Sequence, residues 1–243
     1  TPTRRDVWVR MLLYPRHTLP TAVAPVAVAT GLAAADGVMA VGPAVGAFVA
    51  GWLVQLGGVF ADNYNNLRRN PDDREHPAFV EALRAGVVTL ATLRTAVVAT
   101  YLAAMVAGLY LVWIGGLPAL AVGLASIVAS LAYSSDPFPL GDRALGDPLF
   151  FVFFGMVSVA GTYYVQAASV LSESFPVVPP GGSIPAEAFV ASLPVAALTT
   201  NILVIDNIRD REFDEGKGEV TLAVLLGDTW SRVEYLALLV LAY

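Results

Sequence analysis

Six apolar runs, near residues 18–36, 41–62, 91–113, 116–134, 147–170 and 186–206, dominate this chain of 243 residues. Each approaches the ~20 residues that a helix rising 1.5 Å per residue needs to cross a hydrocarbon layer of about 30 Å. Inside lipid, every backbone N–H and C=O must be paired within the structure itself, so runs of this length fold as helices. A seventh run begins at about 234 and meets the last residue, Tyr243, too soon to span. The chain therefore reads as cut within a span, with C-terminal helices missing. Hydrophobic residues make up 56% of it and charged residues 14%, where an average soluble domain carries roughly a quarter charged. The expected fold is all-α, a polytopic transmembrane bundle forming one membrane-embedded domain over 1–243, with no soluble domain.

Composition also closes off several chemistries. There is no cysteine, which removes disulfides, thiolate metal sites and a cysteine nucleophile. Two histidines, His17 and His76, are too few for a histidine-built zinc centre. All 14 basic residues fall in the N-terminal segment, in 62–94, in 136–147 or in 206–232. The connections near 36–41, 113–116 and 171–186 carry none. By the positive-inside rule, this partition predicts a multi-pass protein of the cell inner (plasma) membrane, with its charged segments facing the cytoplasm. Arg4, Arg5 and Arg10 are then topology determinants beside anionic lipid. The Pro- and Gly-rich stretch 175–183 reads as a loop on the other side.

Two acidic clusters end long apolar runs on the charged side. The first is Asp62-Asn63-Tyr64-Asn65-Asn66 and the second Asp206-Asn207-Ile208-Arg209-Asp210. Each precedes a related segment, Gly-Val-Val-Thr-Leu-Ala from Gly86 and Gly-Glu-Val-Thr-Leu-Ala from Gly218, so the chain looks duplicated, with a half-site in each half. Carboxylates are costly at a membrane boundary and mark function by default; the plainer alternative is an Asp-Asn helix cap used twice. On a helix, positions four apart share a face. Asp62 then points with Asn66, and Asp206 with Asp210 and Asp214, while Asp72 and Asp73 follow in the connection. Grouped oxygens without His or Cys suit Mg²⁺, which takes one or two carboxylates together with substrate phosphate oxygens. Arg68, Arg69, Arg143, Arg209, Arg211 and Lys217 share those segments, and Arg grips phosphate through two donors where Lys acts as a point charge. The predicted ligand is a Mg²⁺-diphosphate whose oily tail enters the bundle. Arg84, Arg94, Glu75 and Glu81 read instead as a solvated face, where single ion pairs are worth little.

This arrangement resembles the UbiA-type intramembrane prenyltransferases, and within them the branch acting on 1,4-dihydroxy-2-naphthoate in menaquinone biosynthesis. Four segments carry the likeness: 15–20 (Pro-Arg-His-Thr-Leu-Pro), 133–146, 161–166 (Gly-Thr-Tyr-Tyr-Val-Gln), and 206–227 with its Asp-Asn-Ile-Arg-Asp start. The resemblance implies nine helices, acidic motifs on cytoplasmic loops, and Mg²⁺ on Asp72, Asp210 and Asp214 beside Asp62, Asn66 and Asp206. It also implies transfer of a polyprenyl group from polyprenyl diphosphate to dihydroxynaphthoate with loss of CO₂, giving demethylmenaquinone. Arg143 and Lys217 would neutralise the leaving diphosphate, with Arg68, Arg209 and Asn63 binding substrate. Tyr133, Tyr163 and Tyr164 would flank the allylic cation or the acceptor ring, or else serve as packing and interfacial anchors. Gln166 reads equally as a helix–helix hydrogen bond.

The family's first motif reads Asn-Asp-Tyr-x-Asp, against Asp62-Asn63-Tyr64-Asn65-Asn66 here. Because Asp62 and Asn66 share a face, the carboxylate has crossed between ligand positions, or else metal binding at this motif is weakened. Ser135-Asp136 also stands where small glycines are common. Other acceptors stay open, namely 4-hydroxybenzoate, homogentisate or a lipid, as does a cation-coupled transporter, although transporters keep their charges nearer the midplane. The expected partners are the two substrates and the lipid bilayer, not nucleic acid, and the sequence assigns no oligomeric state.

Overall fold

The computed structural model describes residues 18–69 and 77–243. Seven helices lie among them: α1 Thr18–Ala35, α2 Val41–Arg69, α3 Pro77–Arg84, α4 Leu90–Ser134, α5 Gly146–Leu171, α6 Ala186–Lys217 and α7 Leu222–Leu241. The described part is all-helical, and α2, α4, α5 and α6 are each long and apolar enough to cross a membrane. Two expected spans, 91–113 and 116–134, are the halves of α4. They are broken at Gly116, whose φ of 63° lies in the left-handed region where a side chain is disfavoured. A Cβ there would also fall 1.7 Å from the Pro176 carbonyl oxygen, which accepts the Leu117 N–H at 2.9 Å. The proline-rich stretch thus closes over the break.

The acidic motifs differ from expectation in one respect. They lie on helix, in the last turns of α2 and α6, rather than on loops. Nothing in 62–69 breaks a helix, and α6 runs on until Gly218 adopts φ 79° and caps it. The last element likewise starts at Leu222 instead of about 234; it is broken at Gly227, whose φ is 74°, and from there Asp228, Arg232 and Glu234 interrupt its apolar pattern without ending it. The short α3 lies within a segment read as a connection.

The duplication has a structural counterpart. Gly86 and Gly218 each end a helix at positive φ, and three residues on, Thr89 and Thr221 cap α4 and α7 by accepting from the N–H of Thr92 and Val224. Small residues bring the spans together, as expected in lipid. Gly57 lies against the Tyr101 ring, and Gly155 of the π-helical turn Phe150–Val157 packs directly on Ala196. Leu56, Phe60 and Leu67 of α2 are buried with Val80 of α3 and Leu93 of α4, while Ala29 and Ala33 of α1 meet Val159 and Ala167 of α5.

Candidate active site

The stripe Gln55, Val59, Asp62, Asn66 on α2 and the stripe Leu203, Asp206, Asp210, Asp214 on α6 repeat at helical spacing, and both line one cavity of about 900 Å³. Its walls toward the bundle interior are apolar, from Leu102, Met105 and Leu109 of α4 and Phe150, Phe153 and Phe154 of α5. A second cavity, of about 770 Å³, carries Arg69, Arg143 and Lys217. Asn66, Asp142 and Glu219 line both, so a cation-bearing outer chamber adjoins an oily inner one across a ring of carboxylates and amides.

Three connections build the outer chamber. Arg69 at the end of α2 donates to Asp142 Oδ2 at 3.0 Å and to Asn66 Oδ1 at 2.9 Å. Arg68 pairs with Asp136, which ties segment 135–145 to α2. Val220 N–H donates to the Asp142 carbonyl at 2.9 Å, which draws the α6–α7 turn onto the same segment. Arg143 lies 4.9 Å from the centre of the Phe138 ring. Lys217 reaches Glu219 at 2.8 Å and sits 4.7 Å from the Phe213 ring centre. Asp214, 4% exposed, accepts from Thr221 Oγ1 at 3.4 Å.

On the wall of the inner cavity, Arg209 donates to Asp206 Oδ1 at 2.8 Å and to Asp210 Oδ1 at 2.9 Å. Buried Asn63 donates to the Val59 carbonyl at 2.7 Å, and its Oδ1 has no partner. Tyr133 lines the inner cavity with its ring against Gly141 and tilted on Phe150, the ring centres 5.9 Å apart.

The structure thus brings Asp62, Asn63, Asn66, Asp206, Asp210, Asp214, Arg209 and Tyr133 to the inner cavity, and Arg143 and Lys217 to the outer one. Arg68 lines neither. Tyr164 lines the inner cavity far from the carboxylates, its hydroxyl donating to the Gly115 carbonyl at 2.6 Å. Tyr163 lies outside the cavity and donates to Asp36 at 2.7 Å. Gln166 is a helix–helix contact, donating to Thr30 Oγ1 at 3.3 Å. Asp72, with Asp73, His17 and His76, lies outside the described residues. Sequence reasoning grouped Arg69 with the phosphate-gripping cations and Asn207 with the second acidic cluster, but passed over Asp142 and the buried Asp147 as site residues. A lone carboxylate opening an apolar run, as Asp147 does, was the available signal.

Among the described residues no three His, Cys, Asp or Glu side chains converge on one point suited to a metal. The all-oxygen donor set at the cavity mouth nevertheless fits Mg²⁺, which needs only one or two protein carboxylates when phosphate oxygens complete its shell. A metal there would compete with Arg209 for Asp206 and Asp210.

A membrane bundle with an oily cavity behind a ring of carboxylates defines a class of enzyme that works on lipid-tailed substrates at a membrane boundary. Residues 22–243 match the UbiA prenyltransferase family. The chain is 34% identical over 233 residues to a 1,4-dihydroxy-2-naphthoate octaprenyltransferase of Mycobacterium leprae, covering 92% of this chain and 71% of that protein. It is 30% identical over 243 residues to the protein of that name from Escherichia coli, covering 98% and 74%. A UbiA homologue from Aeropyrum pernix has the same fold, with a TM-score of 0.67 at 18% identity over 93% of this chain and 74% of that one. The chain belongs to the UbiA prenyltransferase family and is a multi-pass membrane prenyltransferase, which sets the transporter reading aside.

Proposed function

We propose that this prenyltransferase moves a polyprenyl group from polyprenyl diphosphate to 1,4-dihydroxy-2-naphthoate at the cytoplasmic face of the cell inner membrane, giving demethylmenaquinol, the reduced form from which demethylmenaquinone follows by a separate oxidation. The observation that carries the reading is the join of the two chambers: cations outside, apolar walls inside, and carboxylates between. That sequence of surfaces matches a diphosphate, its metal and its hydrocarbon tail in order. The relatives' names supply the acceptor.

In this reading Asp62, Asn66, Asp206, Asp210 and Asp214, with Asp72, would hold Mg²⁺, which when bound would supply Lewis-acid chemistry at the diphosphate. Arg143 and Lys217, joined by Arg69, face the released pyrophosphate and neutralise it. Arg68 and Arg209 keep the loop and the α6 motif in place around it. Tyr133 sets an aromatic face beside the allylic carbon, and the apolar walls exclude water that would otherwise quench the cation. The electron-rich ring forms the new C–C bond, and the acceptor's carboxylate departs as CO₂.

Membranes carrying the protein, given Mg²⁺, a polyprenyl diphosphate and dihydroxynaphthoate, are expected to release CO₂ and a prenylated naphthohydroquinone, read as the quinone after oxidation in air, and to stop on addition of EDTA. Prenylation of 4-hydroxybenzoate, homogentisate or a lipid in place of the naphthoate overturns the acceptor, and EDTA-resistant product overturns the metal.

A further inference from the structure

Asp147 is the one carboxylate in the first turn of α5, and it is 3% exposed. Its Oδ1 accepts a hydrogen bond from Asn207 Nδ2 at 3.2 Å. Asn207 stands on the cavity stripe of α6 between Asp206 and Asp210 and lines the inner cavity, which Asp147 does not. An ionised carboxylate accepts hydrogen bonds and cannot donate them, whereas an amide offers NH₂ on one side and a carbonyl oxygen on the other. In the structure it is the NH₂ side of Asn207 that faces Asp147. The Asn207 Oδ1 makes no hydrogen bond among the described residues.

We infer that Asp147 is a positioning residue: by engaging the Asn207 NH₂ group it turns the Asn207 carbonyl oxygen toward the cavity, as an added oxygen donor beside Asp206 and Asp210. This rests on the proposed metal-diphosphate reading of the same site. It also gives the α5 carboxylate a task. A buried carboxylate is expensive to keep unless its hydrogen bond is used, and α5 would start as well with a neutral residue, since its N-cap makes no side-chain bond. The first-turn position favours the negative charge that the arrangement needs. Without Asp147, Asn207 would rotate freely between presenting an oxygen and presenting an NH₂ group, which repels a cation.

The test is Mn²⁺ binding to the detergent-solubilised protein, read from loss of the free-ion EPR signal, with the thermal midpoint recorded alongside. Asp147→Asn is expected to weaken Mn²⁺ binding by roughly 10-fold or more, the usual effect of losing a partner that orients a metal ligand. Asp147→Asn combined with Asn207→Asp re-forms the pair in reverse, with the amide on α5 and an oxygen on α6, and should recover most of that affinity. Should Asp147→Asn alone fail to fold, the double variant carries the test. A folded double variant that binds Mn²⁺ no better than Asn207→Asp overturns the inference, as does a single variant that loses thermal stability with Mn²⁺ affinity unchanged. Absence of Mn²⁺ binding by the wild-type protein would instead strike down the metal reading itself.

Discussion

At the scale of residues, the site divides groups whose loss costs stability from groups whose loss costs chemistry. Asp210 is held by Arg209 at a partly exposed position, and an exposed ion pair contributes about 0–1 kcal/mol. Asp210→Asn should therefore leave the thermal midpoint in detergent nearly unchanged. It should also lower prenyl transfer by about 10²-fold or more, the range seen when one preorganised electrostatic group is removed. Wild-type turnover in that variant would remove Asp210 from the metal site. The altered first motif makes a second prediction. Asp62 lies on the cavity stripe with Asn66, so if the carboxylate has crossed between ligand positions, Asp62→Ala should damage activity about as much as Asp72→Ala. Near-normal rates for Asp62→Ala alone would mean that the exchange is not compensated. The stripes on α2 and α6 were legible in the sequence because helical spacing alone fixes which side chains point together. Tyr163 and Tyr164 were not, because adjacent positions on a helix diverge by about 100° and spacing cannot say which one meets a cavity. Asp147 stayed hidden because its role depends on a contact 60 positions away along the chain.

At the scale of elements, the apolar runs foretold the spans because length and hydropathy are what lipid selects. They did not foretell where helices end, since a helix outlasts its apolar stretch until a breaker stops it. That is why α2 and α6 carry their acidic motifs out of the apolar layer on rigid backbone, fixing the carboxylates better than loops would. The packing that holds α6 at this height is tightest at Gly155, where a Cβ would sit 2.1 Å from Ala196 Cβ and 2.3 Å from Ala196 Cα. Gly155→Ala should accordingly force α5 from α6 and lower stability by about 1–3 kcal/mol, the usual penalty for overpacking, visible as a reduced thermal midpoint. Ala196→Gly should fail to rescue it, because the Ala196 Cα and the N at 2.8 Å remain in the way. Full rescue would show that only the methyl groups collide.

At the scale of the whole molecule, the bundle has two unlike ends, and function depends on which way they face. One end gathers Arg68, Arg69, Arg143, Arg209 and Lys217 around the paired chambers. The other holds the α1–α2 turn, the Gly116 break and segment 172–185, where Lys and Arg do not occur. In the proposed reading the diphosphate and carboxylate groups of the substrates reach the charged end from the compartment where they are made, and lysine and arginine bias such an end toward the cytoplasm. The chain contains no cysteine, so a single introduced thiol reports its own side without background. Cysteine at exposed Glu212, on the charged end of α6, should react with a membrane-impermeant maleimide in inside-out vesicles and stay protected in intact cells. Cysteine at exposed Ser174, in the loop over the Gly116 break, should show the reverse. Labelling of both from one side would contradict a bundle that spans the membrane between them. A clean inversion of the pattern would keep the bundle and turn the active site outward, where Mg²⁺ and diphosphate would have to be delivered from outside the cell.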